Sequence, residues 1–289
     1  MKTTVTLITL ILVFAAPRAQ AQEKADGPVD GWNNTLVTGL NLTQVTLHNW
    51  TQGGENTLAW TFLVNGKFLY HQPDWKWNNT LKIAYGKTKL GDDDFQKSED
   101  ELFWESVYSR NIGWKIDPYV ANQLRTQFDD GYTVTEDEDG QEVRTLSSGP
   151  FDPLYLIQSA GFTYTQGEAF FTRLGIAFKE TFSSADFGFA DDPDTDGEIE
   201  DFRFQTGVES ATGVKVTVME NIIYTSQLNL FSAFNQMDVW DVRWDNTINA
   251  KVNDFVTASL NVMVVHEIAQ TRRTQVKQAI SLGLRYSLL

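Results

Sequence analysis

The sequence predicts an all-β fold: a closed, antiparallel, up-and-down transmembrane β-barrel of about twelve strands. The first observation is the alternation over Met237–Asp254, where apolar residues fall on one face of an extended strand and charged or polar residues on the other. The second is that this pattern returns in successive segments with no helical crossover between them. The third is length, because the segments exceed the roughly 5–6 residues usual in sandwich strands and reach the roughly 9–11 that a tilted membrane-spanning strand needs.

The first residues predict export and precede the fold. Lys2 supplies a positive start, Val5–Ala16 is a short apolar run, and Ala19–Ala21 is a small-x-small cleavage site, which together predict a secretory signal peptide. We therefore expect a mature chain in the bacterial outer membrane. The predicted divisions are a signal peptide (1–21), a periplasmic lead (22–32) and the barrel (33–289).

Composition excludes several classes of protein. The formal net charge of −15 disfavours nucleic acid as a partner, and the absence of cysteine excludes disulfides and thiolate chemistry. No run of about 20 apolar residues predicts a transmembrane helix. The nine Trp residues suit the aromatic girdles of a membrane barrel, with a soluble β-protein having a Trp-rich core as the alternative.

The first five predicted strands cover 33–47, 57–70, 77–86, 99–112 and 114–125. Pro118 lacks an N–H for the ladder, so we expect a bulge or a local gap there. Their alternating apolar faces carry Leu36, Leu40 and Leu42; Leu58, Trp60, Phe62, Val64 and Phe68; Trp77, Leu81, Ile83 and Tyr85; Leu102, Trp104 and Tyr108; and Trp114, Ile116, Val120 and Leu124.

After an acidic segment, in which 132–135 and 142–146 can pair as a small hairpin above the sheet, seven further strands are predicted. They cover 153–165, 170–179, 200–218, 221–234, 237–254, 256–265 and 273–288. Long polar connections follow the first, third, fifth and seventh strands, whereas short turns follow the even-numbered ones. This asymmetry predicts that odd-numbered strands run outward and that both termini lie in the periplasm.

Three stretches carry a family resemblance: Trp50–Asn56, the Asp191–Asp194 loop and Gly283–Tyr286. They resemble an uncharacterised family of secreted or outer-membrane β-barrel proteins from Bacteroidota-type bacteria, known as domain of unknown function 3078. The resemblance spans about Trp32–Leu289 and implies a compartment and a fold, with no known activity or catalytic residues. Separately, the glycine-plus-alternating-apolar pattern of the last strand resembles the signal read by the barrel-assembly machinery, although such strands often end in Phe and this one ends in Leu289.

Enzymatic chemistry has few candidates in this sequence. A lipid hydrolase in the membrane would need a Ser–His pair on one strand face. His48 has no Ser two residues on, His71 lies in a predicted turn, and His266 lies on an outward face near a strand end. We therefore expect no catalytic residues, and a lipid hydrolase is the alternative.

A candidate cation site lies in the second acidic loop. Asp192, Asp194 and Asp196 alternate before a glycine, as in Ca²⁺ loops, and Glu198 can add a ligand. The twelfth position of a calcium-binding loop should be Glu but is Arg203, so the full motif fails. A solvated acidic loop is the simpler interpretation, and a surface module that binds Ca²⁺ or another cation is kept as an alternative.

The polar strand faces predict a charged lumen in which basic residues outnumber acidic ones. Buried charges must be paired or hydrated, so the lumen is either a wet channel or a salt-bridged plug. The function expected is therefore a non-enzymatic envelope protein, bound to outer-membrane lipid, that is either a narrow channel for small polar or anionic solutes or a structural barrel. The lumen-lining candidates are Lys67, Lys82, Glu101, Glu105, Lys115, Asp117, Arg125, Arg173, Lys179, Arg203, Glu209, Asp241, Arg243, Asp245, Lys251, Lys277 and Arg285.

Overall fold

The computed structural model describes residues 30–47, 55–136, 142–192, 195, 197, 199–268, 270–271 and 273–288. Among these residues, no helix is long and apolar enough to cross a membrane. The signal peptide and most of the periplasmic lead lie outside the described residues. The strands are β1 (Gly31–Val45), β2 (Thr57–Gln72), β3 (Trp75–Leu90), β4 (Gln96–Arg110), β5 (Asp117–Thr126), β6 (Gly131–Glu136), β7 (Glu142–Ser148), β8 (Leu154–Gln166), β9 (Phe170–Phe182), β10 (Phe202–Met219), β11 (Ile222–Ala233), β12 (Asp241–Lys251), β13 (Val256–His266) and β14 (Gln275–Ser287).

Twelve of these strands form a closed antiparallel barrel, which confirms the predicted fold class. Its order is β1-β14-β13-β12-β11-β10-β9-β8-β5-β4-β3-β2, so the first and last strands close the sheet. Leu40 pairs with Leu284 at this closure. Strands β6 and β7 form the separate hairpin that the sequence predicted.

The beginning of β5 differs from the prediction. Trp114 to Ile116 belong to the turn after β4, and the strand begins at Asp117. No bulge occurs at Pro118, because β5 and β8 pair in continuous register from Asp117 to Arg125, but the alternative expectation of a local gap holds on the β4 side. Pairing with β4 reaches only as far as Tyr119, so Pro118 lies beyond the β4 ladder, where its missing N–H costs little.

The connections divide the barrel into a loop end and a turn end. The loop end carries segments 46–56, 91–95, 127–153, 183–201, 234–240 and 267–274, and the turn end carries 73–74, 111–116, 167–169, 220–221 and 252–255. The alternation of long and short connections agrees with the sequence prediction, although the connection after β3 is shorter than expected. In a membrane barrel, the loop end would face outward.

The outward face of the barrel is largely apolar over the height of a bilayer core. Ile280, Leu282 and Leu284 on β14 are 78%, 61% and 59% exposed. Aromatic rings pack together near both ends, with Trp60 on Tyr85 toward the loop end and Tyr70 on Trp75 toward the turn end. From Trp60 to Tyr70 the strand rises about 33 Å at roughly 3.3 Å per residue, which is about 25 Å along the barrel axis at a tilt of roughly 40°. This height equals that of the apolar band of outer-membrane barrels.

Glycines on the inner face let large side chains lie against the wall. A Cβ at Gly213 would collide with the ring of Phe171, and a Cβ at Gly175 would collide with the Tyr119 hydroxyl. The Phe171 ring and the Tyr119 hydroxyl therefore lie directly on backbone, and the former resembles the aromatic covering of strand glycines. The two glycines lie on β10 and β9, where the interior is tightly filled.

Candidate functional site

A side-chain bond spans the full width of the lumen. Arg243 on β12 donates from Nη2 to Glu101 Oε1 on β4 at 2.6 Å, and Arg125 Nε approaches the same oxygen at 3.2 Å. Strands β4 and β12 are separated by five strands in either direction around the barrel. A direct bond between diametrically opposite strands must cross the interior. We call Arg243–Glu101 the cross-lumen pair.

The cross-lumen pair divides the interior into two halves that differ in how many of their side chains are buried. The packed half is bounded by β5, β8, β9, β10 and β11, and the open half by β13, β14, β1, β2 and β3. On the five strands of the open half, which are fully described, only Gly66, Gly86 and Thr257 are buried. In the packed half, buried side chains occur on every strand, among them Tyr119, Ala121, Ser159, Thr163, Arg173, Ala177, Lys179, Glu209, Ala211 and Phe231.

A buried ionic network fills the middle of the packed half. Arg173 donates from Nη2 to Glu105 Oε1 at 2.5 Å, and both side chains are at least 93% buried. Gln123 Nε2 bridges Glu105 at 2.9 Å and Glu209 at 3.2 Å. The guanidinium of Arg173 also lies over the ring of Tyr119. This half is therefore a side-chain plug rather than a passage.

A second ionic cluster closes the packed half toward the loop end. Lys179 Nζ donates to Asp241 at 2.8 Å and to Glu267 at 2.5 Å, and Gln270 links Glu267 to the hydroxyl of Tyr155. Two small cavities, of about 180 and about 90 Å³, share Lys179 and Asp241 in their walls. The cluster thus separates an outer cavity beneath the loops from an inner one.

The open half carries basic residues and no acidic ones at its inward-facing strand positions. Glu101 and Arg243 point inward, and residues paired with inward residues on neighbouring strands also point inward, which identifies the inward positions of each strand. Many of these positions in the open half hold small polar side chains, among them Asn41, Asn65, Asn78, Thr80, Ser259, Asn261 and Ser281. The charged residues at these positions are Lys67, Lys76, Lys82, Lys277 and Arg285, and no Asp or Glu occurs among them. They are spaced from the loop end, near Lys277, to the turn end, near Lys76.

The cations of the open half differ in how they are neutralised. Lys277 pairs with Glu99 of β4 at 2.6 Å, and Lys82 lies over the Phe103 ring near the charge of Glu101. Arg285 makes a long contact with Asn249 at 3.5 Å. Within the described residues, Lys67, Lys76 and Arg285 have no carboxylate within ion-pair distance. The turn-end half of this wall therefore keeps uncompensated positive charge.

The structure places most of the remaining lumen candidates nearer the ends of the barrel, whereas Asp245 lies in the middle of β12. Lys115 is exposed in the turn after β4, because β5 begins two residues later, and so it is not on a strand face as predicted. Lys251 ends β12 and binds Asp254 of the following turn. Arg203 lies beneath the 183–201 loop and donates to the carbonyl of Asp191, and Asp245 accepts from Asn261. Asp117 begins β5 at the turn end.

The candidate calcium loop is only partly described. Asp194, Asp196 and Glu198 lie outside the described residues, and the Asp192 carboxylate lies 3.7 Å from Arg203 as an ion pair. The backbone N–H of Asp192 donates to Glu200, and hydrogen bonds from Thr195 and from that N–H lower the pKa of the Glu200 carboxyl. Among the described residues, no three His, Asp or Glu side chains converge as metal ligands.

In the part of the chain that is described, neither His71 nor His266 has a hydrogen bond to serine. His71 Nδ1 lies 3.2 Å from Asp30, and His266 Nδ1 lies 3.2 Å from the Thr274 hydroxyl. His48 lies outside the described residues.

The loop-end hairpin is anchored by charge on its first connecting residues. Asp129 accepts a hydrogen bond from the Tyr85 hydroxyl at 2.5 Å and pairs with Lys87 at 3.0 Å. These hydrogen bonds lower the pKa of Asp129 to about 2. Asp100 accepts the backbone N–H groups of Phe128 and Asp129, so the segment that leads into β6 is tied to β3 and β4.

Several residues of the site escaped the sequence analysis. Gln123 and Tyr119 are uncharged, and Glu267 lies in a loop, so a search for charged strand positions omits all three. Lys76 lies on β3 just before the predicted strand begins. Strand parity identifies inward positions, whereas partners on strands that are distant in sequence are visible only in the closed barrel.

Comparison with known proteins returns solved β-barrel structures of low identity and one family profile. No curated protein matches the chain. Similar solved structures include an outer membrane channel from Pseudomonas putida F1 (9% identity, 92% of this chain and 98% of that chain, TM-score 0.38), the translocator domain of autotransporter NalP from Neisseria meningitidis (7%, 90% and 90%, 0.38) and the Pseudomonas putida toluene transporter TodX (8%, 90% and 88%, 0.33). The family resemblance drawn from the sequence is confirmed over part of its length, because residues 42–132 match the profile described as "Protein of unknown function (DUF3078)".

Proposed function

We propose that this protein is an outer-membrane barrel that conducts small, polar, preferentially anionic solutes through the open half of its lumen. The observation that carries the proposal is the charge of that wall, where Lys67, Lys76, Lys82, Lys277 and Arg285 face inward with no acidic residue among them. A pore lined by cations favours anions. The packed half acts as a fixed plug that keeps the passage narrow.

The membrane location is supported by the outer surface. An apolar band about 25 Å tall between aromatic belts is the exterior that outer-membrane barrels present to lipid. A closed sheet also leaves no strand edge unpaired, which hydrocarbon requires because it offers no hydrogen-bond partners. The expected signal peptide (1–21) provides the route of export.

The size of the expected selectivity follows from electrostatics. A unit charge about 4 Å from the path of an ion changes its energy by about 1 kcal/mol in water, or about fivefold in local concentration. Several unpaired cations act on the same passage, so we expect anions to permeate at least about fivefold better than cations of similar size. Screening by salt will reduce this preference.

Reversal potentials in planar bilayers under a potassium chloride gradient test the proposal. The purified protein should give an anion-selective reversal potential, and Lys67→Glu combined with Arg285→Glu should shift it toward cation selectivity. Lys215→Glu is the matched control, because Lys215 lies at the turn end of the packed half beside Glu168. Absence of any conductance from folded protein would overturn the channel proposal and leave a structural barrel.

A further inference from the structure

The lipid-facing surface carries a continuous row of polar side chains. Asn79 on β3 is in register with Ser106 on β4, Ser106 with Asn122 on β5, and Asn122 with Gln158 on β8. On their strands these four residues lie an even number of positions from Trp77, Trp104, Leu124 and Phe162, so they point outward as those residues do. With roughly 4.8 Å between neighbouring strands, the row is about 14 Å long.

Several polar groups elsewhere on the outward face are satisfied within the barrel. Thr172 bonds Thr212 at 2.9 Å, Trp244 donates to Ser226 at 2.9 Å, and Tyr224 donates to Asn246 at 2.7 Å. In the row, Ser106 accepts from the Trp77 indole at 2.8 Å. Within the described residues, the side-chain amides of Asn79, Asn122 and Gln158 have no hydrogen-bond partner. The row therefore gathers three unpaired amides on one side of the barrel.

The row reaches the middle of the apolar band. Gln158 is six residues from Tyr164, whose ring packs on Phe170 in the turn-end belt. Six residues rise about 20 Å along a strand, or about 15 Å along the barrel axis at a tilt of roughly 40°. At that depth neither water nor lipid headgroups can pair the amides, and unpaired polar groups in hydrocarbon are strongly unfavourable.

We propose that the β3–β4–β5–β8 face binds a second copy of this chain through the amide row. Each amide has both donors and an acceptor, so the same patch on two barrels can satisfy itself about a two-fold axis. Lipid offers no such complement. The wall at β14, where Ile280 lies, is apolar at the same depth and suits lipid alone. The proposal is independent of whether the lumen conducts.

Disulfide formation at introduced single cysteines tests the proposal, because the native chain contains no cysteine. The probes are Asn79→Cys, Ser106→Cys, Asn122→Cys and Gln158→Cys in purified protein reconstituted into lipid vesicles and oxidised with copper phenanthroline. Cysteines that face each other across a two-fold axis can form a disulfide when their Cα atoms lie within about 7 Å. We expect a covalent dimer at one or more positions of the row, and none at the control Ile280→Cys, on a strand outside the row.

A second pair of variants separates a specific interface from chance collision. Asn122→Leu with Gln158→Leu should remain folded, as shown by heat-dependent migration on gels, but should elute as a monomer in detergent. Thr206→Leu with Ser210→Leu, on the outer face of β10, should leave the dimer intact. A monomeric native protein with no dimer at any row position, or crosslinking at Ile280→Cys equal to that in the row, would overturn the proposal.

Discussion

Replacing Arg173 with methionine is expected to lower the free energy of unfolding by about 3–5 kcal/mol, because removal of one partner leaves buried charge uncompensated. Arg173 is the countercharge of Glu105, at 2.5 Å, and also acts electrostatically on Glu209. In the variant, the carboxylates of Glu105 and Glu209 therefore lose the buried cation that stabilises them. Urea-induced unfolding from lipid vesicles, followed by tryptophan fluorescence, measures the change.

Rescue by neutral amides distinguishes this cause from lost packing. Adding Glu105→Gln and Glu209→Gln to the Arg173→Met variant should recover most of the stability, since no uncompensated charge then remains. Lys215→Met is a control, because the Lys215–Glu168 pair is exposed and should contribute less than about 1 kcal/mol. An Arg173→Met barrel as stable as the native one would show that the network contributes little.

Replacing Glu101 with glutamine is expected to increase single-channel conductance. Glu101 holds both Arg243 and Arg125, so loss of its charge leaves two guanidinium groups that repel each other. The Arg243 side chain should then fold back against β12, so that no side chain crosses the lumen at this level. We expect an increase of less than about twofold, because the passage widens only where the pair crosses the lumen, while the packed half stays filled by its own side chains.

The control for this conductance effect is Asp254→Asn. Asp254 pairs only with Lys251 in an exposed turn, among the residues that the structure describes, so its replacement should leave conductance at the native value. Unchanged or smaller conductance in Glu101→Gln, with native behaviour in the control, would contradict the assignment of the cross-lumen pair as the divider of the lumen.

The sequence predicted the strands well because two-residue periodicity is local information. In the segment from Trp240 to Val252, the alternation alone shows which side chains share a face, with no need to know the neighbouring strand. The same alternation in the other strands then identifies the residues on that face throughout the sheet. Even the β6–β7 hairpin was predicted. The predicted start of β5 was wrong, because Trp114 and Ile116 continue the apolar alternation although they belong to a turn.

The division of the lumen was not predictable in the same way. The Arg243–Glu101 bond joins residues that are 142 positions apart, and alternation does not reveal such partners. The packed half also depends on small residues, since Ala177, Ala211 and Gly213 leave room for Arg173, Phe171 and Phe231 to fill the interior. On the open half, many inward positions hold Asn, Ser or Thr, and the five strands have almost no buried side chains.

The most direct test of the account is labelling of single cysteines by a charged, membrane-impermeant methanethiosulfonate during conductance recording. Ser281→Cys, in the open half, should react and reduce the current, whereas Ser159→Cys, which is 6% exposed in the packed half, should not react. Equal labelling of Ser281→Cys and Ser159→Cys, or labelling of Ser281→Cys with no effect on the current, would contradict it.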